Sequence, residues 1–399
     1  MPRPADGPYK VMLFIPHLEQ GGAERQILEL MRRLPKRYAP TLCLYRADDS
    51  ARIHYKDYLP PGEPRHALGV GDMGPVGLAR LVTLLRSEKP TILHSYRDKA
   101  NLWARLAGML APVPIVLTSV RNRYQGPLYG AAEFLLQGAT DKVLTNSRGI
   151  EEELVNWSRV NPERIQVINN FVDLDAFHPP SADERAAARA HYKFGDGEIV
   201  LILPGRLAMQ KHQLGLGVAL ARLKHAGRLP PNVKIVLAGR RRDKIYSRIV
   251  PVGMNLLGLE DHIVYFEPVK DMLRLYHAAD ALVMPSLFEG MPNAVLEAHA
   301  CGLPAVVTYA ANRDGIVLDG TSGFEVATLD PLGLADAIAK IIQASPDARR
   351  RMGAAGRAHV ADRFHPDRIL DETVALYDGL LAEKGILPAT EIVAEKGIA

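Results

Sequence analysis

The chain has 399 residues, 47% hydrophobic and 24% charged, and this length exceeds one ordinary core, so two domains are expected. Its composition is that of a globular protein, which excludes a fibrous or disordered chain, and no apolar run reaches transmembrane length. The net charge of +4 is unevenly placed: residues 1–180 hold 23 Lys+Arg against 19 Asp+Glu, and the remainder holds 49 − 23 = 26 against 45 − 19 = 26.

A basic excess confined to one half raises an anionic partner, either a membrane surface or a phosphorylated acceptor. There is no arginine-rich arm and no nucleic-acid motif, so DNA and RNA are discounted. Cys43 and Cys301 stand far apart without metal-ligand spacing and read as buried thiols of a reducing compartment. The apolar stretch Val11 to Ile15 is too short for a signal peptide, and a cytoplasmic chain is expected.

Val11-Met12-Leu13-Phe14-Ile15 is a continuous apolar run of the kind that forms a buried parallel strand. A loop to Gly22 follows, then helical spacing of Ala23, Ile27, Leu28, Met31 and Leu34. Residues 41–45 form the next strand, and 48–72, polar and rich in Pro and Gly, read as an extended loop. Helices near 75–88 and 98–110 flank the strand 91–95; a strand at 114–119 precedes an apolar helix at 130–138. Strands close this half at 143–146 and 165–168, with Ser147 as N-cap of the helix between them. Asn169 to Asp196 is the boundary segment, with Pro179 and Pro180 followed by an alanine-rich charged helix. A second alternation has strands at 199–203, 233–238, 263–266, 280–285 and 304–308, then helices at 331–343, 346–362 and 366–382. The residues from about 385 onward read as a tail. The fold class is therefore α/β, two doubly wound domains, with ligands expected at the carboxyl ends of the strands. We set the domains at 1–178 and 179–365, with 366–399 as a C-terminal helix packing back on the first domain, and a tail.

Gly21-Gly22 lies between the first strand and first helix, where backbone N–H groups can meet a phosphate or simply turn the chain. Gly205-Arg206 ends the first strand of the second half and Lys211 opens the following helix; two cations there suit a diphosphate, or are solvated surface charges. Ala281 to Met284 reads as a strand ended by Pro285-Ser286, and Pro292 suits the first turn of the next helix. Glu289 then sits in a strand-to-helix loop and Glu297 more than one turn into the helix. Two carboxylates so placed can converge on a polyhydroxylated ligand.

The run Glu289-Gly-Met-Pro-Asn-Ala-Val-Leu-Glu297 resembles the E-x7-E signature of the retaining glycosyltransferases of family 4, which have the GT-B fold of two Rossmann-like domains facing a central cleft. Gly21-Gly22-Ala23-Glu24-Arg25, Asn146-Ser147, Asn170-Phe171-Val172-Asp173, Gly205-Arg206-Leu207 with Lys211, Ala279-Asp280 and Pro285-Ser286 resemble other markers of that family, over roughly residues 10–380. The resemblance implies transfer of a sugar from a nucleotide diphosphate, most often UDP-linked, to a hydroxyl acceptor, without a cofactor or essential metal. It implies that Arg206 and Lys211 neutralise the diphosphate, that Glu297 holds the ribose, and that Glu289 and the amides of Gly290, Met291, Pro292 and Asn293 (where they carry an N–H) hold the donor sugar. Gly21-Gly22 would meet the diphosphate from the other domain, and the base would lie along Ile263 to Phe266, at Val264. Asp173-Leu174-Asp175 spells Asp-x-Asp but follows the domain's last strand, so it reads as a turn and not as a metal site.

The chain departs from the family pattern at several positions. Arg121 stands where a histidine near the donor sugar is common, which suits an anionic acceptor or sugar, or simply a brace for the diphosphate. Gly239-Arg240-Arg241-Arg242 replaces a glycine-rich turn, Glu267 a glycine, and Gly315 a glutamate, so the identity of the donor sugar stays open. His94 ends a strand facing the cleft and is either an acceptor contact or a structural histidine; His17 has similar standing. The stretch Tyr124 to Leu136 and the basic first half fit a lipid-linked acceptor at the inner face of a membrane, with the enzyme peripheral to it, although a core helix explains the stretch as well. The alternatives are a soluble enzyme with a small acceptor and a catalytically silent sugar-nucleotide-binding protein.

Overall fold

The computed structural model describes residues 7–18, 22–46, 65–123, 127–241, 245–267 and 269–387. The chain divides into two compact units, 1–170 with 367–399, and 171–366. Phe171 to His178 therefore belong to the second unit: Val172 N–H donates to the Phe364 carbonyl at 3.2 Å, and Phe177 lies in that unit's core.

In the first unit the order is β1 (Tyr9–Ile15), α1 (Gly22–Arg33), β2 (Tyr38–Leu44), β3 (Arg65–Ala67), α2 (Pro75–Glu88), β4 (Ile92–Tyr96), α3 (Asp98–Leu110), β5 (Ile115–Val120), α4 (Pro127–Leu136), β6 (Lys142–Thr145), α5 (Arg148–Asn156) and β7 (Ile165–Val167). The strands form one parallel sheet in the order β3-β2-β1-β4-β5-β6-β7. Val11 to Ile15, Ile92 to Tyr96 and Ile115 to Val120 are buried on both faces of the sheet. Each large aliphatic side chain so placed contributes about 1.5–3 kcal/mol. Ser147 caps α5, its hydroxyl accepting from the Gly149 N–H at 3.0 Å.

The second unit runs α6 (Ala182–Tyr192), β8 (Ile199–Pro204), α7 (Gln213–His225), β9 (Val233–Ala238), α8 (Tyr246–Leu256), β10 (Ile263–Phe266), α9 (Met272–Ala278), β11 (Ala281–Met284), α10 (Asn293–Ala300), β12 (Ala305–Thr308), β13 (Gly323–Val326), α11 (Pro331–Gln343) and α12 (Pro346–Arg363). Its parallel sheet has the order β10-β9-β8-β11-β12-β13. Two apolar clusters cover its faces, one around Leu282, Val295 and Leu296, the other around Leu203, Leu220 and Ile338. Ser181 and Glu184 close a reciprocal capping box on α6. Asp280 binds Arg185 at 2.7 Å and the Val200 N–H at 2.8 Å, so this marker residue fastens α6 to the sheet.

The last helix, α13 (Pro366–Glu383), falls with the first unit. Arg37 Nη2 pairs with Asp378 at 2.8 Å, Tyr38 Oη donates to the same carboxylate, and Lys384 reaches Asp141 at 2.7 Å. This assignment redistributes the charge. The first unit holds 26 Lys+Arg and 24 Asp+Glu, and the second 49 − 26 = 23 and 45 − 24 = 21, so each carries +2. The excess seen in residues 1–180 is offset by the acidic C-terminal segment.

Two short strands depart from expectation. β3 lies within the 48–72 stretch read as a loop, whose residues 48–64 fall outside the described residues. β13 was not anticipated either. Both are sheet edges of three and four residues, defined by pairing with one neighbour and lacking a long apolar run. In the stretch read as a lipid-facing or core helix, Glu133 of α4 is buried against Arg105 while Phe134 and Leu135 are exposed. Among the described residues no helix is long and apolar enough to cross a membrane.

Candidate active site

The second sheet reverses its strand order between β8 and β11. Ligands of open α/β sheets bind at the carboxyl ends of the strands at such a point. The residues that leave these two strands are those singled out by their chemistry: Gly205-Arg206 to Lys211 after β8, and Pro285 to Pro292 after β11.

The two connections are tied together. The Leu287 N–H donates to the Gln210 carbonyl at 2.8 Å. Gln210, nearly buried, donates through Nε2 to the Phe288 carbonyl at 3.1 Å and to Glu289 Oε2 at 3.2 Å, and its Oε1 accepts from Arg206 Nη2 at 3.3 Å. Lys211 Nζ lies 2.7 Å from Glu289 Oε1, with 14% and 9% of the two side chains exposed. Arg206, Gln210, Lys211 and Glu289 thus form one network in a low-dielectric setting, where charge acts more strongly than in water.

The backbone beneath is tightly drawn. Gly205 has φ of 144°, and a Cβ at Gly239, at the end of β9, would stand 2.1 Å from the Gly205 carbonyl oxygen, so glycine is required there. His212 adopts φ of 51°, a left-handed conformation that costs a non-glycine residue about 1–2 kcal/mol. Its ring packs where a Cβ at Gly215 would stand, and hydrogen-bonds the Pro285 carbonyl. His212 therefore holds the Lys211 turn against the end of β11.

Pro292 is the N-cap residue of α10, with Gly290 and Met291 buried before it. The N-terminus of α10 directs backbone N–H groups and positive dipole toward this loop. Glu297 lies one turn into α10 and accepts at Oε2 from Tyr276 Oη at 2.8 Å. Val264 is half-buried on β10, the edge strand of the sheet.

The sequence model for glycosyl transferases group 1 matches residues 198–344, the body of this unit, and that for glycosyltransferase family 4 matches residues 20–176. The chain belongs to glycosyltransferase family 4. Across 392 aligned residues it is 27% identical to a D-inositol 3-phosphate glycosyltransferase of Xylanimonas cellulosilytica, covering 90% of this chain and 92% of that protein. It is 26% identical to the UDP-Gal:alpha-D-GlcNAc-diphosphoundecaprenol alpha-1,3-galactosyltransferase of Escherichia coli, over 74% of this chain and 76% of that one. HepE of Anabaena, solved in complex with UDP and glucose, superposes with a TM-score of 0.81 at 19% identity, over 93% of this chain and 100% of that chain. WaaG, a glycosyltransferase involved in lipopolysaccharide biosynthesis, gives 0.70 at 16%, over 91% and 99%. Both units have the Rossmann-like architecture of the GT-B fold shared with these structures.

The remaining marker residues of this family 4 glycosyltransferase divide by position. Gly21 lies outside the described residues; Gly22 opens α1. Asp173 accepts from the N–H groups of Asp175 and Ala176 at 3.0 Å each, a turn, as read from the sequence. Arg241 pairs with Glu267 at 3.6 Å on the exposed edge, and Arg242 is outside the described residues. His94 is 1% exposed, with Nδ1 2.7 Å from Tyr377 Oη and Nε2 2.8 Å from Ser119 Oγ. Burial pushes its pKa down to about 3, so the ring is neutral. It offers its nitrogens to the fold, and the structural reading is the one these contacts favour. Arg121, half-buried, donates to Asn170 Oδ1 at 2.7 Å and lies over the Tyr96 ring at 5.3 Å. Gln210, His212 and Tyr276 were not found from the sequence. Gln210 and His212 flank Lys211 and were within reach of inspection; Tyr276 is 21 positions from Glu297 and no local signal connects them.

Proposed function

We propose that the chain transfers a sugar from a UDP-sugar to a hydroxyl acceptor with retention at the anomeric carbon and without a metal ion. The observation that carries this reading is the Arg206–Gln210–Glu289–Lys211 network at the β8/β11 reversal. Arg206 and Lys211 neutralise the departing diphosphate, which is electrostatic stabilisation by groups already in place. Glu289 and the amides at the start of α10 hold the donor sugar, Glu297 holds the ribose hydroxyls, and the base lies along β10 at Val264. With both carboxylates engaged as ligand holders, the acceptor hydroxyl attacks on the face from which the diphosphate leaves, and its proton passes to a departing phosphate oxygen.

UDP is favoured as the nucleotide because the E. coli relative is named for UDP-Gal and HepE holds UDP. The same relative supports a lipid-linked acceptor and a place in glycoconjugate or polysaccharide synthesis, with the enzyme peripheral at a cytoplasmic membrane face. The Xylanimonas relative, similar over 90% of the chain, supports a soluble enzyme with a small phosphorylated acceptor. Calorimetry with UDP, GDP and ADP, followed by UDP release from a panel of UDP-sugars and NMR of the product's anomeric centre, tests the proposal. Selective UDP binding and a product of unchanged anomeric configuration are expected; an inverted product or preference for another nucleotide refutes it.

A further inference from the structure

The first sheet reverses its strand order between β1 and β4, and the residues leaving those strands form a charged cluster of their own. Arg97 follows β4 with φ of 79° and ψ of 151°, a region that is essentially glycine's, costs about 1–3 kcal/mol and persists only where the surroundings fix it. They do fix it. Its N–H donates to the Ser119 carbonyl at 3.3 Å, its carbonyl accepts from the Asn101 N–H at 2.8 Å, and its guanidinium pairs with Glu24, whose carboxylate is fully buried on α1. Arg97 Nη1 also lies 3.5 Å from Nε2 of His17, which follows β1. The two sides of the reversal are thus joined, and 37% of the Arg97 side chain stays exposed.

Arg121 leaves the neighbouring strand β5, one residue past the register position opposite Arg97. It commits Nη1 to Asn170, and its Nε is buried without a hydrogen bond. Glu24 offsets one of the two guanidinium charges. Tyr96 does not offset the other, because burial pushes its phenol up to about 12 and it keeps its proton. Two guanidinium groups against one carboxylate leave this cluster net positive, and their planar donor forks suit a phosphate or a carboxylate.

We infer that this charged cluster of the first unit binds an anionic group carried by the acceptor, a phosphate monoester or a carboxylate, through Arg97 and Arg121, with Glu24 as the residue that positions Arg97. The inference rests on the glycosyltransferase reading and deepens it by naming the acceptor's chemical class. It would add Arg97, Glu24 and His17 to the acceptor side of the reaction.

The test uses the full chain saturated with UDP, so that Arg206 and Lys211 are engaged. Inorganic phosphate and glucuronate are titrated by calorimetry and by thermal shift, with chloride at equal ionic strength as control. Binding of one anion at a single further site is expected, and the tighter of the two identifies the source. Arg97→Gly removes the charge with the one residue at ease at φ of 79° and ψ of 151°; it is expected to weaken that binding about tenfold or more, the scale of a lost hydrogen bond to a charged group, with the UDP Kd unchanged. Arg121→Gln is the second variant, expected to act in the same direction. Absence of UDP binding refutes the glycosyltransferase reading. UDP binding without phosphate or glucuronate binding, or anion binding that both variants retain at full affinity, overturns the present inference.

Discussion

Lys211 Nζ sits 2.7 Å from Glu289 Oε1, and both side chains are mostly withdrawn from water. At the proposed donor site the carboxylate would therefore compete with a diphosphate for the ammonium group. Replacing Glu289 by Gln removes the competitor while keeping the side chain's shape and its contact with Gln210. UDP should bind about fivefold tighter, corresponding to roughly 1 kcal/mol from a released charge-assisted contact. Turnover of the UDP-sugar should fall about 100-fold, because the sugar hydroxyls lose their carboxylate. Calorimetry and steady-state kinetics on the same variant check both halves; weaker UDP binding would show that the pair supports the diphosphate site instead of competing with it.

Tyr276 fixes the Glu297 carboxylate with a 2.8 Å hydrogen bond from a buried phenol. Tyr276→Phe keeps the ring packing and removes that bond, so the donor Kd should rise about three- to tenfold, the range of a net hydrogen bond of about 0.5–1.5 kcal/mol. The variant's kcat at saturating donor should change little. A kcat loss with unaltered Kd would move Glu297 from ribose holding to the chemical step.

Two buried histidines set an acid limit on stability. Burial lowers His94 to about 3 and His299 to about 4, against about 6.5 when unfolded. Both are neutral in the fold, and the unfolded chain takes up more protons below pH 6.5. Their contribution is present above pH 6.5 and is lost as the pH falls toward 4, by about 1.4 kcal/mol per pH unit for each histidine. His94→Gln should therefore flatten the fall of Tm between pH 6.5 and 4, whatever its effect at pH 7.5. A slope identical to that of the parent chain would assign the acid sensitivity to other groups.

Much of the architecture around the proposed donor site was legible because its signals are local. A short apolar run, Pro285, a carboxylate loop, Pro292 and an apolar helix give β11, its connection and α10 from adjacent residues. The β8 connection with Arg206 and Lys211 is equally local. What escaped depends on contacts distant in sequence. β3 and β13 exist through a neighbour's pairing groups, and Tyr276 meets Glu297 only once α9 and α10 share a core. The charge excess of residues 1–180 misled for the same reason: the acidic α13 segment belongs to that unit by its packing against Arg37, Tyr38 and Asp141. His94 read equally well as ligand or structural residue, and only the two hydroxyls on its ring nitrogens separate the readings.

Arg105 and Glu133 form an ion pair that is almost completely buried, with Nη1 to Oε1 at 2.8 Å and further donation to Thr118 and Thr140. It joins α3 to α4. Glu133→Ala leaves the guanidinium buried without its partner and should destabilise the first unit by about 3–5 kcal/mol. The double variant Arg105→Leu/Glu133→Leu should recover most of that loss, since apolar replacement of both partners is often neutral. Denaturant midpoints of the three proteins check this, and a double variant no better than Glu133→Ala would mean that the threonine contacts require the arginine.

The most direct test of Lys211 and Arg206 as the groups that stabilise the leaving diphosphate is the rate of UDP release by Lys211→Ala from a UDP-sugar that the parent chain turns over. A loss of about 100-fold or more in kcat is expected, the scale of removing one preorganised electrostatic group, with the variant still folded by circular dichroism. Release of UDP at the parent rate would contradict the assignment of catalysis to the β8/β11 network.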